Sequence, residues 1–130
     1  IDPGFSRVRV QARQLYVFSH ATLSGLWSGT AALERAANFF MTSAWRGSES
    51  GWAKLIDSRG NLLDGSYDLY DTAFSLFSLG WYYKVSRDSR CVEIARQTLD
   101  FIERSFSHPH GGYANDATHS HPRHRLEPPW

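Results

Sequence analysis

Four stretches of the chain carry apolar residues at helical spacing, and they differ in how much of the circumference is apolar. The first, about Arg7 to Ser24, is apolar nearly all round, with a narrow polar stripe of Arg9, Arg13 and His20. The second, about Gly29 to Trp45, places Leu33, Ala36, Ala37, Phe40 and Ala44 on one face and Glu34, Arg35 and Asn38 off it. The third, about Asp68 to Val85, puts Tyr70, Phe74, Phe77 and Trp81 on one face and Ala73, Leu76, Gly80 and Tyr83 on another. Few charges interrupt it, which predicts burial on most sides. The fourth, about Asp88 to Phe106, has a stripe of Val92, Ala95, Leu99, Ile102 and Phe106, with Arg96, Asp100, Glu103 and Arg104 outside it.

The order is therefore buried, amphipathic, buried, amphipathic. A glycine–aromatic segment follows each pair, SESGW at Ser48–Trp52 and HPHGGY at His108–Tyr113. The first runs on as WAKLIDSRGNLLDG, which reads as a short β-hairpin turning near Asp57 to Gly60. Matching features return after roughly 60 residues, the mark of stacked supersecondary units. Inner helices apolar all round and outer helices apolar on one side predict two concentric layers. The fold class expected is all-α, part of an (α/α)6 barrel, with about two helical hairpins and short β-hairpin loops. A closed ring of six such hairpins needs roughly 350 to 400 residues at this repeat length, so two hairpins amount to about a third of it. Residues 1–130 are read as one partial toroid domain, and 114–130 (ANDATHSHPRHRLEPPW, from Ala114) as a His- and Pro-rich loop tail.

Composition narrows the function. Aromatic residues make up 15% of the chain, and flat rings line sugar clefts as well as cores. The net charge is +1 with no basic stripe, which argues against a nucleic-acid partner. No apolar run is long enough to span a bilayer, and the opening IDPGFS has no signal-peptide order. The single cysteine, Cys91, excludes an internal disulfide framework and fits a reducing, cytoplasmic setting. Open ring edges would expose apolar faces, which predicts association into a homo-oligomer.

Several residues invite a chemical role. Arg13 has two readings: an arginine that snorkels or pairs with an acid, or one that faces a central cavity and donates to ligand oxygens from a rigid fork. Tyr70 is either a core aromatic or a cavity residue. The two hold comparable places in the two repeats, so parallel inner helices would turn both toward one cavity. Trp52 and Tyr113 are either rim aromatics or hairpin plugs. Asp68 and Asp71 are either acids or a helix cap and dipole partner. Five of six histidines fall between His108 and His124, yet their spacing matches no zinc template, so no native metal site is expected. No P-loop, G-x-S-x-G or dinucleotide fingerprint is present, and no cofactor is expected. A glycoside hydrolase would need two carboxylates suitably placed across a cavity, and Asp68 and Asp71, three apart on one helix, support that poorly.

VQARQLYVFSHA, then GW…DSRGNLLDGSYDLYDTAFSLFSLGWYY, then TLDFIERSF…HGGY resemble the N-acylglucosamine 2-epimerase superfamily. Q-A-R-Q and D-L-Y-D-x-A-F are the most specific parts, and the likeness covers about residues 7 to 113. It implies an (α/α)6 barrel and a reaction on an open-chain sugar. A histidine removes the proton next to the carbonyl, an enediolate forms, and a proton returns to give an epimer or a ketose. The resemblance also assigns substrate-oxygen contacts to Arg13 and Tyr70, neither of them the base. Trp52 is added as a candidate substrate contact from its rim position. The family's proton-transfer histidines lie in later helices, and the R-x-N-P-H-M-H-like segment expected after the tail is absent before Trp130. The chain is therefore expected to be an amino-proximal fragment of a sugar epimerase or isomerase, inactive alone. The alternative is a non-catalytic helical binding module derived from that fold.

Overall fold

The computed structural model describes residues 4–107. Helix α1 spans Val8–Leu23, α2 Thr30–Phe39, α3 Leu69–Ser86 and α4 Ser89–Phe106. A π-helical turn, Phe40–Ala44, extends α2. Its wider turn lets Phe40, Met41 and Ala44 all reach the core, below Leu33 and Ala37 of α2 itself. Ala36, expected on the same face, is exposed.

The hairpin after the second helix is present. Strand β2 (Leu55–Ile56) pairs antiparallel with β3 (Leu62–Asp64). The turn lies where the sequence places it, with Gly60 N–H donating to the Asp57 carbonyl at 3.0 Å. Asp57 holds the loop from inside: Oδ1 accepts from the backbone N–H of Arg59 and Asn61, and Oδ2 from Asn61 Nδ2. Gly60 has φ +87°, and a Cβ there would meet Ser43 Oγ at 2.5 Å, so both conformation and space require glycine. A third strand, β1 (Ser6–Arg7), pairs with β2 and leads straight into α1. Periodicity did not announce it, because two residues carry no period.

Helices α1 and α3 pack most closely and run parallel, since their contacts advance together. Arg9 meets Asp71, Tyr16 meets Phe77, and His20 meets Trp81. Small polar residues permit the approach. Thr72, Ser75 and Ser78 of α3 and Ser19 of α1 are buried, and Ser78 Oγ donates across to the Ala12 carbonyl at 2.7 Å. Helices α2 and α4 form the second layer, tied by Arg90 Nη1 to Asn38 Oδ1 and by the contact of Cys91 with Met41. The core lies between the layers, around Leu15, Phe40, Ile56 and Leu79.

Two expectations about burial need correction. On α4 the core stripe is Cys91, Ile94, Thr98, Phe101 and Phe106, one position back from the stripe read at Val92, Ala95 and Leu99. Val92 and Leu99 face outward and line an open apolar groove of about 380 Å³ with Leu76, Gly80 and Tyr83 of α3. Helix α4 has two apolar faces, and Thr98 hid the true one by interrupting it. Helix α3 is likewise less enclosed than its composition predicts. Its buried side is mostly small and polar, while Tyr70 and Phe77 are exposed.

Candidate functional site

The exposed side of the α1–α3 layer is the surface where the sequence-nominated residues can be tested. Helix α1 brings Arg9, Arg13, Tyr16 and His20 to it at steps of three and four residues, and α3 brings Tyr70, Phe74, Phe77 and Trp81. Asp68 starts α3. Its side chain accepts from Asp71 N–H at 2.7 Å, and it lies 3.9 Å from Lys54. That is the helix-cap reading, and it fixes where Tyr70 leaves the first turn.

Asp71 is not free either. It accepts from Arg9 Nε at 2.5 Å, joining the two helices at this end. The Arg9 guanidinium stands 5.2 Å from the Tyr70 ring centre. The hydrogen bond to Asp71, then its negative charge, raise the Arg9 pKa above its already high ordinary value. Further along, Tyr16 sits 5.0 Å from Phe77 and 5.4 Å from Trp81. Trp81 also contacts His20 at 4.6 Å and carries Lys84 Nζ over its ring at 4.6 Å. The surface is thus a wall of aromatic rings studded with cations.

Arg13 lies on this wall, one helical turn after Arg9. It is exposed, and its side chain makes no hydrogen bond or ion pair to any described residue. The paired reading of Arg13 therefore has no support here, and five guanidinium donors remain for a ligand. Tyr70 is 56% exposed on the same wall, with its ring centre 6.3 Å from that of Phe74. The arginine that meets Tyr70 is Arg9, however, not Arg13. Sequence reasoning placed Arg9 in the polar stripe and stopped there. Its spacing of four before Arg13 was the available signal.

Trp52 lies elsewhere. It is 2% exposed, stacks on Phe40 at 4.6 Å, and donates Nε1–H to Thr98 Oγ1 at 3.1 Å. Of the two readings open for Trp52, this is the hairpin plug. The other loop aromatic, Tyr113, and the histidines from His108 to His124 lie outside the described residues. Among the described residues no three His, Cys, Asp or Glu side chains gather as metal ligands, and no helix is long and apolar enough to cross a membrane. Cys91 is buried against Met41, and burial pushes its thiol up to about 11, so it stays protonated and poorly nucleophilic.

The parallel pair α1 and α3, backed by α2 and α4, carries exposed Arg13 and Tyr70 beside a half-buried Trp81. Residues 2–128 match the family N-acylglucosamine 2-epimerase (GlcNAc 2-epimerase). The chain belongs to that family. Among solved structures it is similar to a cellobiose 2-epimerase from Spirochaeta thermophila DSM 6192, with TM-score 0.79 and 26% identity over 86% of this chain. A D-mannose isomerase, at 22% identity and TM-score 0.70 over 88% of the chain, shares the fold. A curated relative, the mannose-6-phosphate isomerase of Rhizobium meliloti (strain 1021), is 29% identical over 113 residues, 85% of this chain. In each case the match spans only 29% of the relative's length. The fold is accordingly similar to the helical barrel of the cellobiose 2-epimerases.

Proposed function

We propose that this chain supplies part of the sugar-binding wall of an epimerase or aldose–ketose isomerase that moves a proton next to the carbonyl of an open-chain sugar. The observation that carries the proposal is Arg13: exposed on α1, unpartnered among described residues, and on the same wall as exposed Tyr70. A guanidinium with unengaged donors can turn to a substrate oxygen and strengthen its hold as that oxygen gains negative charge, at the cost of ordering its side chain. That is the condition under which a donor stabilises an enediolate more than the ground state. Tyr70, whose phenol has no hydrogen-bond partner among the described residues and whose ring is steadied by Arg9, would orient a hydroxyl.

In this reading Arg13 and Tyr70 bind and polarise, and the proton-transfer histidines belong to helices outside this chain. The chain alone would then be inactive, and its setting cytoplasmic. Trp52, buried, would act on the wall only by holding the hairpin against α4. The reaction is tested by running the barrel-length protein on mannose in deuterium oxide. Deuterium at C2 of the recovered sugar, or ketose carrying deuterium at C1, is expected. Turnover without deuterium would exclude exchange through an enediolate, and no turnover on any aldose would favour a binding module.

A further inference from the structure

Arg9 and Arg13 are four residues apart on α1, so they leave the helix about 6 Å apart along its axis. Like charges at this spacing destabilise an isolated helix by a few tenths of a kcal/mol. Among the described residues, one carboxylate is bonded to this pair. Asp71 takes Arg9 Nε, and neither terminal nitrogen of Arg9 has a hydrogen-bond partner among the described residues. Asp68 lies nearby, but it caps α3 and has Lys54 at 3.9 Å. Further along the wall, Lys84 lies over Trp81 and is paired with no acid among the described residues. Cations therefore outnumber carboxylates on a face that is otherwise aromatic.

Arg9 is also held in place. Asp71 grips one edge of its guanidinium and Tyr70 lies at 5.2 Å, both from α3. Its two outward N–H groups are thus preoriented, whereas Arg13 is free to swing toward them. Two guanidiniums arranged this way suit an oxyanion with several acceptor oxygens, bound by charge-assisted hydrogen bonds. We propose that this wall takes a sugar bearing an anionic group, a phosphate or a carboxylate, held between Arg9 and Arg13. The inference rests on the sugar-binding reading of the same wall and makes Arg9 its specificity-determining residue.

The test is a titration of the isotope-labelled chain with mannose 6-phosphate, mannuronate, mannose and inorganic phosphate, followed on the arginine Nε–H NMR signals. Both anionic sugars should shift Arg9 and Arg13 at concentrations at least tenfold below mannose, and the gain should shrink with added salt. A gain for only one of them identifies the group as phosphate or as carboxylate. Arg9→Gln should bring the ratio of anionic to neutral sugar below twofold, and Arg9→Lys should restore part of it. Asp71→Asn removes a negative charge beside the anion while its amide oxygen can still accept from Arg9 Nε, so it should enlarge the ratio even if Arg9→Gln folds poorly. Mannose binding with no gain from the anionic group would overturn the inference and leave the sugar reading standing. Phosphate binding as well as mannose 6-phosphate, with mannose silent, would overturn both.

Discussion

Replacing Trp52 separates a plug from a rim residue. Its side chain is almost wholly buried, stacked on Phe40, 5.2 Å from Trp45, and bonded to Thr98. Trp52→Ala removes that packing and leaves a large cavity, a change that costs about 3–5 kcal/mol in well-packed cores. A domain of this size is stable by roughly 5–15 kcal/mol, so the variant should sit near the edge of folding. Trp52→Phe keeps most of the ring contact. It loses one hydrogen bond, worth about 0.5–1.5 kcal/mol, and some volume. Thr98 keeps its bond to the Ile94 carbonyl, so no donor is stranded. Trp52→Phe should therefore cost about 1–2 kcal/mol by urea unfolding followed by circular dichroism. Its sugar affinity, measured on folded protein, should match the parent. A Trp52→Ala cost under about 1 kcal/mol would refute the plug. So would a Trp52→Phe protein of full stability that had lost sugar binding.

Other consequences can be checked in the same protein. Asp68→Ala removes the cap of α3 and should cost about 1 kcal/mol in chemical unfolding, while Asp68→Asn should cost less. The Arg90 side chain, bonded to Asp88, lowers the Asp88 pKa, so this pair's stabilisation is complete above the ordinary aspartate range and is lost as pH falls through the depressed folded value. Acid unfolding of Asp88→Asn should therefore show a weaker pH dependence below about pH 4 than the parent. Leu99 is 55% exposed beside the α3–α4 groove. If that apolar edge drives self-association, Leu99→Lys should shift the chain toward monomer in size-exclusion runs at little cost in stability, and an unchanged profile would clear the edge of that role.

The layered arrangement was readable because it depends on a property that periodicity reports well, namely how much of each helix is apolar. The hairpin turn was readable for the same kind of reason, since Asp57 and Gly60 have local conformational demands that no distant contact alters. What escaped were choices between two apolar faces. On α4, Val92 and Leu99 look as suited to a core as Ile94 and Phe101, and the choice is made by distant partners such as Met41, Gly51, Trp52 and Tyr67. On α3, the serines that let α1 approach read as polar interruptions until Ser78 is seen bonding to the Ala12 carbonyl. At the candidate site, Arg13 and Tyr70 were nominated from matching repeat positions and both reach the wall. For Arg9 the sequence offers only its spacing of four before Arg13, and its role shows once Asp71 and Tyr70 are brought beside it. Trp52 shows the opposite difficulty, since a tryptophan after a glycine reads the same on a cavity rim and in a core, and here it is buried.

The central claim is that the α1–α3 wall meets the sugar through Arg13. The most direct measurement is the turnover of Arg13→Ala in the barrel-length protein on mannose-like sugars, with the fold monitored by circular dichroism. Removing one donor to a developing oxyanion typically lowers kcat by about 10²–10³. The account predicts a loss of that size with an unchanged spectrum and melting curve. Turnover within a few-fold of the parent would take Arg13 out of the site and contradict the account.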